Sequence, residues 1–315
     1  MGSTYSLYGL RLNSDVRLPE LSHTIDEGPG DIIISLSPIS TDWSKSDCDE
    51  NRYVVRDNSI YLDIPGVAKF AIRDGANIEV DRYPSSTEVE VRLFLLGSAM
   101  GALLHQRGLI PLHASSIGVA GSGIAFSAAS GGGKSSLAAL FAQRGYQVNG
   151  DDVAVPELAP TNEVLLRAGA SRIRLMPDAL EALGKSSKLE LRNGRIGRKF
   201  EMAIQRREAE RLLPLDRIYF LEFDEAAGSM PHIEPMGKYA AFVAMRSNVY
   251  RPSLIGSLRK EREFLEWASR ALATVNCYRL RMSRDLSSLG GVGDVLEEHW
   301  IEISQLRGRR PQRSA

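Results

Sequence analysis

Residues Gly123–Val155 read GIAFSAASGGGKSSLAALFAQRGYQVNGDDVAV. Gly123 to Ser127 is a short apolar run of strand type. Ser136 to Arg144 carries Leu137, Leu140 and Phe141 at helical spacing, and Gly145 supplies the stop. Tyr146 to Val148 is a second short strand, with Asp151 and Asp152 at its exit. Between the first strand and the helix lies AASGGGKS, Ala128 to Ser135. A strand, a glycine-rich loop ending in Lys-Ser, a helix and a strand form the setting of a phosphate-binding loop. Glycines let consecutive N–H groups turn inward toward a polyphosphate, and the helix opening at Ser135 adds the positive end of its dipole. Ser130, Gly131, Gly132, Gly133, Lys134, Ser135 and Ser136 are therefore the expected nucleotide contacts. Lys134 is a point charge for the β- and γ-phosphates, and the Ser135 hydroxyl is a ligand for Mg²⁺. One departure stands out: Ala128 occupies the place of the first glycine, which a methyl tolerates if that residue keeps a negative φ. A glycine linker with a chance Lys-Ser is the other reading, but linkers are not bracketed by a periodic strand and helix.

The rest of the chain sets bounds. Its 315 residues fit one large domain or two smaller ones. Its formal net charge of +0 gives no global field toward nucleic acid or an anionic membrane, so neither is an expected partner. No apolar run approaches transmembrane length, and the opening MGSTYSLYGLRL has no secretory pattern; a cytoplasmic location is expected. Met1-Gly2-Ser3 reads as a cloning remnant at least as well as a myristoylation signal. Cys48 and Cys277 are far apart and read as reduced thiols.

Before the loop, Tyr5 to Pro84 shows short strand patterns (Tyr5 to Leu12, Asp31 to Leu36, Arg52 to Arg56, Ser59 to Ile64, Ala68 to Ile72, Asn77 to Val80). Turn signals at Asp57-Asn58, Pro65-Gly66 and Asp74-Gly75 separate them. This predicts a small antiparallel β-rich domain over 1–86, without chemistry of its own. Thr87 to Arg107 has a wide apolar helical face and Gly108 stops it, so 87–108 is expected to link the small domain to the next. A catalytic α/β domain, a mixed sheet flanked by helices, is expected over 109–306, with a basic, disordered tail over 307–315. Leu109 to His113 and Glu163 to Leu175 read as strand. Ser186 to Gly197 reads as a mobile polar loop.

The acidic pair sharpens the chemistry. In an open α/β sheet the strand ends near the loop share an edge with the bound phosphates. Two carboxylates there can divide the work, one on Mg²⁺ and one accepting a proton from an attacking hydroxyl. Asp151 is read as the base and Asp152 as the metal ligand; a turn with a helix cap is the bland alternative. His113, leaving a strand beside the loop, is positioned to bond an Asp or a phosphate, or else is a structural histidine. Arg172 and Arg174 alternate on one strand and so share a face. With Arg198 and Lys199 they are candidate contacts to substrate or phosphate, a solvated basic face being the alternative.

His113 to Val155 resembles the C-terminal catalytic domain of the HPr kinase/phosphorylase family. The family's loop is G-x-S-G-x-G-K-S, with a His on the preceding strand, a helix ending in R-G and an Asp-Asp pair. Here these are His113, Ala128 to Ser135, Arg144-Gly145 and Asp151-Asp152. The resemblance implies ATP (or GTP) and Mg²⁺ as cofactors and phosphorylation of a serine hydroxyl on a peptide or small protein. It further implies the base and its neighbour at Asp151, Asp152 and His113, and a homo-oligomer, since the family forms rings. The family's second signature departs: residues 166–175 read LRAGASRIRL, without the metal-binding Glu used in phosphorolysis. The stretches YGLRLNSDVRLPEL and RIRLMPDALEALG are similar instead to a subgroup that includes lasso-peptide tailoring kinases, which phosphorylate a precursor's C-terminal serine. Three other readings share the loop: an HPr carrier-protein kinase, a nucleotide-binding sensor without turnover, and a small-molecule or carboxykinase-like enzyme.

Overall fold

Tyr8 and Gly9 both take positive φ, 55° and 68°, the requirement of a two-residue hairpin turn. The run expected as one strand over Tyr5 to Leu12 is therefore a hairpin of β1 (Ser3–Leu7) and β2 (Leu10–Ser14). In the computed structural model, residues 3–24, 28–40, 53–170, 172–185, 189–193, 197–204, 212–224 and 230–308 are described. For 189–193, 197–198, 203 and 303–308 only the backbone is described. Cys48 and most of the basic tail, 309–315, lie outside them.

The hairpin belongs to an eight-stranded sheet. Its other strands are β3 (Ser22–His23), β4 (Ile32–Leu36), β5 (Tyr53–Arg56), β6 (Ser59–Ile64), β7 (Ala68–Arg73) and β8 (Asn77–Arg82). The order is β3-β1-β2-β4-β8-β7-β6-β5. The expectation of an antiparallel domain is corrected here, because β2 pairs β4 and β4 pairs β8 in parallel. Alternating apolar residues specify a buried face and leave strand direction open.

Thr87 starts the next helix with a capping box to Glu90. Three contiguous segments follow: Glu88–Phe94, a π-helical turn Leu95–Ala99, and Met100–Gln106. Gly108, at φ 76°, ends the run. This helix is more than a link. Val91, Leu95, Met100, Leu103 and Leu104 are buried in one core with Tyr5, Ile32, Phe70 and Val80 of the sheet. Val153, Val155, Tyr250 and Leu254, from the later part of the chain, complete that core.

The second eight-stranded sheet carries the loop. It contains β9 (Ala114–Val119), β10 (Ser122–Ser127), β11 (Gln147–Gly150), β12 (Val155–Leu158) and β13 (Val164–Arg167). A short sheet intervenes, ordered β14-β16-β15 from β14 (Arg172–Leu175), β15 (Leu189–Asn193) and β16 (Gly197–Ala203). Two corrections follow: Glu163 to Leu175 is split between two sheets, and the stretch expected as a mobile loop supplies a hairpin. The second sheet resumes with β17 (Leu213–Phe223), β18 (His232–Pro235) and β19 (Asn276–Met282). β10, β17 and β19 are mutually parallel, so their C-terminal ends open on one edge. Leu109 to His113, expected as a strand, contributes only isolated bridges from Leu112 to Ala154 and Val249. The helix after the loop, Lys134–Gln143, buries Leu137, Leu140 and Phe141 against the final helix, Leu289–Gly308, through Val292, Leu296 and Trp300.

Candidate active site

Strand β10 ends at Ser127, and the chain turns through Gly131 (φ 79°) and Gly133 (φ 87°) into the helix at Lys134. Ala128 is absent from the positive-φ residues, which meets the condition on replacing the first glycine. Its methyl has a consequence two turns of the loop away. A Cβ built on Gly132 would lie 2.6 Å from the Ala128 Cβ and 3.0 Å from the Ala129 carbonyl oxygen. The alanine makes the middle glycine obligatory.

Lys134 is buried, and its ammonium is saturated by three acceptors. Nζ donates to the carbonyls of Ala128 (2.8 Å) and Ala129 (2.9 Å) and lies 3.1 Å from His113 Nε2. Burial lowers its pKa to about 8; Asp152 and Asp151 pull it upward, and Lys199 lowers it further. A charged lysine donating to Nε2 requires a neutral His113 with its proton on Nδ1. That Nδ1 lies 3.0 Å from the Asp152 carbonyl oxygen and 3.4 Å from its carboxylate. Burial lowers the His113 pKa, against the opposing pull of Asp152, and so favours the same neutral form.

The two adjacent carboxylates face different surroundings because Asp152 sits at φ 73°. Such a left-handed residue costs on the order of 1 kcal/mol and turns consecutive side chains apart. Asp151 faces the loop helix. Its Oδ1 accepts from Ser115 Oγ (2.6 Å) and Ser135 Oγ (2.8 Å), and its Oδ2 accepts from the Arg174 N–H (2.9 Å). Asp152 faces open space between His113 and Arg174, whose Nη2 is 3.5 Å from its Oδ2. Burial alone would raise the Asp152 pKa, but Arg174, His113, Lys199 and Lys134 outweigh it and hold the carboxyl well below the usual range.

Two cavities meet at this point. The first, about 430 Å³, is lined by Ser130 through Ser136 and by a wall of Phe223, Met282 and Arg284 whose first two members pack against Gly133. The Arg284 guanidinium lies 4.8 Å from the centre of the Phe223 ring, giving that wall a flat, apolar and cationic face. The second, about 360 Å³, is lined by Leu93, Phe94, Gly97 and Ser98 and by Ser247 to Pro252, which pack against them through Arg251 and Tyr250. His113, Ser130, Asp152, Arg174 and Lys199 line both.

Most of the residues singled out in the sequence thus converge. The loop residues line the first cavity, and His113, Asp152, Arg174 and Lys199 stand at the partition. Asp151 lies behind the loop and lines neither cavity. Arg172 and Arg174 do not share a setting. The Arg172 guanidinium is held by Glu201 (3.0 Å) and by Glu20 (3.6 Å), which reaches in from the amino-terminal region. The side chain of Arg198 lies outside the described residues. Sequence reading missed Tyr250 and Arg251, which sit in a turn before Pro252 without any motif around them.

The residues present fit a hydrated Mg²⁺. A hydroxyl and a carboxylate, Ser135 and Asp151, meet at 2.8 Å beside the loop. Mg²⁺ bound with phosphates uses one or two carboxylates and fills its remaining positions with water and phosphate oxygens. Among the described residues no group of three His, Cys, Asp or Glu side chains is gathered as a metal cage. Among them, too, no helix is long and apolar enough to cross a membrane.

No family model matches the sequence, and no curated protein matches it. Solved structures do. The Hpr(Ser) kinase/phosphatase from Coxiella burnetii is 12% identical, covering 62% of this chain and 98% of that one, with a TM-score of 0.31. A likeness of that size carries no argument about fold or chemistry.

Proposed function

We propose that the protein is a Mg-ATP-dependent kinase (ATP, or GTP in its place) that phosphorylates a serine hydroxyl on a peptide or small protein. One observation carries the reading: the loop lysine, the histidine and an exposed-facing aspartate form a continuous chain, Lys134–His113–Asp152, at the partition of two cavities. A triphosphate in the first cavity and a hydroxyl in the second would meet there.

The loop N–H groups and the helix start at Lys134 hold the phosphates, and Lys134 exchanges its carbonyl acceptors for phosphate oxygens. Phe223 and Arg284 offer the nucleotide base a stacking wall. Bound Mg²⁺ supplies charge neutralisation for the phosphates. The contacts support a division of labour opposite to the one expected from sequence: Asp151, tied to Ser135, stands on the metal side, and Asp152 takes the proton. The acceptor oxygen bonds to the terminal phosphorus, the bond to the leaving diphosphate breaks, and the hydroxyl proton passes to the Asp152 carboxylate and on to solvent. Asp152 is ionised at neutral pH and stands ready to accept. Recruitment of Lys134 and Arg174 by phosphate would also remove two of the cations that depress its basicity.

The finer reading, supported by the two short stretches quoted above, is that the acceptor is the C-terminal serine of a lasso-peptide precursor. A soluble cytoplasmic enzyme and a homo-oligomer belong to the same reading. Incubation with Mg-ATP and serine peptides, followed by mass spectrometry, tests it. A gain of one phosphate on serine is expected with the intact protein and not with Asp152→Asn. A protein that binds ATP yet phosphorylates no acceptor would instead be a sensor.

A further inference from the structure

Arginines of the interior are neutralised by carboxylates: Arg92 by Glu20 at 2.7 Å, Arg172 by Glu201, Arg174 by Asp152, and Arg217 by Asp216 at 2.7 Å. Arg251 differs. Its Nη2 donates to the Ser98 hydroxyl at 2.7 Å, and its guanidinium stacks 4.9 Å from the centre of the Tyr250 ring. Among the described residues no ion pair includes it, and its buried Nε has no hydrogen-bond partner. A guanidinium keeps its charge at every physiological pH; here burial is opposed by Tyr250, Tyr53 and Asp152, which favour that charge without an ion pair, and the unpartnered Nε leaves donor capacity that an entering anion can take up.

Its place supplies the second clue. Arg251 lines the second cavity together with Asp152 and His113. It takes φ 59°, the left-handed region, directly before Pro252, where the backbone is further restricted. The segment is pinned all the same: His113 N–H donates to Asn248 O at 2.7 Å, and Tyr250 N–H to Pro111 O at 2.8 Å. Packed directly against it, the π-helical turn Leu95–Ala99 delivers Gly97 and Ser98, and the latter orients the guanidinium. A cation on a left-handed backbone, fixed by two separate parts of the chain, lines the same cavity as the proton-accepting carboxylate.

We infer that the second cavity seats the acceptor and that Arg251 grips a carboxylate of that acceptor, at a chain end or on a side chain, beside the hydroxyl to be phosphorylated. This rests on the kinase reading and names its substrate class: an acidic acceptor, with the anion near the serine. The amino-terminal region, through Gly97 and Ser98, becomes part of the acceptor site.

The test uses three small probes: N-acetylserine, N-acetylserinamide and N-acetyl-aspartyl-serinamide. Binding to the full-length protein is followed by ligand-observed NMR saturation transfer at about 10 mM, a range that detects millimolar affinities. Transfer is expected to N-acetylserine if the anion is a chain end, or to the aspartyl amide if it is a side chain, and not to N-acetylserinamide. Arg251→Gln should lose that signal, Arg251→Lys should keep part of it, and the nucleotide Kd should stay within about 3-fold in both. Equal binding of all three probes, binding of none, or an undiminished signal in Arg251→Gln overturns the inference. Phosphate transfer to the probes, read by mass spectrometry, separates the two levels. Carboxylate-selective binding without any transfer sinks the kinase reading and leaves the anion site. Equal transfer to acid and amide sinks the anion site and leaves the kinase.

Discussion

The two cavities that meet at Asp152 are built in different ways. The first takes one wall from a single run, Ser130 to Ser136, whose backbone geometry is dictated locally by glycines and a helix start, and closes it with Arg174 to Met176, Phe223 and Met282 to Leu286. The second is assembled from a helix near residue 95, a turn near residue 250, and the strand ends between them. One wall is a property of sequence; the other is a property of tertiary contact. Substitutions on the two sides should therefore affect different constants, and the residues on the partition should affect transfer itself.

The largest effect is expected at the partition. Asp152→Asn keeps the shape and removes the proton acceptor, so transfer should fall by about 10²–10⁴-fold while the nucleotide Kd changes little. Single-turnover phosphate transfer and a nucleotide titration on the same sample report the two quantities. A nucleotide affinity that collapses together with transfer would place Asp152 on the phosphate side and erase the distinction between the cavities. Asp151→Asn supplies the contrast, because its carboxylate is bonded to Ser135. It should weaken binding of Mg-ATP more than that of metal-free ATP.

On the loop side, Gly132→Ala should weaken nucleotide binding by on the order of 10-fold, since the new methyl would collide with Ala128. Ala128→Gly in the same chain should restore a good part of the loss. The coupling between the two, read from a double-mutant cycle of nucleotide Kd, is the sharper measurement. Additive effects would mean that the loop relaxes elsewhere.

How much of this was readable before any fold was known follows the same division. The unit around the loop was legible almost residue by residue: the helix expected over Ser136 to Arg144 runs Lys134–Gln143, and the strand expected to end at Ser127 ends there. Every signal there is short-range. The hairpin at Tyr8-Gly9 was not legible, because Tyr is a poor turn former and its positive φ is fixed from outside the hairpin. Tyr8 N–H donates to Ala168 O at 2.9 Å, and the Tyr8 carbonyl accepts from Arg167 at 2.6 Å. The parallel pairing of β4 was invisible for a related reason, since alternation carries no direction. Arg251 had no signal at all. What distinguishes it is a hydroxyl 153 positions earlier in the chain.

The pH dependence of nucleotide binding probes Lys134. In the free protein its pKa lies at about 8, below the ordinary lysine value, chiefly because it is buried. Phosphate stabilises the charged form and so raises that value on binding. Below about pH 8 the lysine is protonated both free and bound, and affinity is at its full strength. Above it, binding must take up a proton, and the Kd should rise by up to about 10-fold per pH unit until the bound form also titrates. Lys134→Arg, which stays charged, should flatten the profile even if its overall affinity is lower. A wild-type Kd independent of pH between 7 and about 9.5 would contradict the buried, depressed lysine on which the loop geometry depends.

The smallest effect is expected at Gly101, on the acceptor side. A Cβ there would lie 2.7 Å and 2.8 Å from the Tyr250 ring carbons Cδ1 and Cε1. The Tyr250 hydroxyl packs over Gly97 as the ring packs over Gly101. Two opposing terms decide stability: alanine in a helix interior is favoured over glycine by about 1 kcal/mol, whereas crowding a packed ring costs about 1–3 kcal/mol. The net runs from near zero to about 2 kcal/mol of destabilisation, so Gly101→Ala should lower the unfolding midpoint by at most a few degrees. The relief has to come from Tyr250, and Arg251, stacked on that ring, moves with it. The acceptor KM should therefore rise several-fold at an unchanged nucleotide Kd. A change in nucleotide affinity without one in acceptor KM would mean that the tyrosine supports the loop rather than the cavity beyond it.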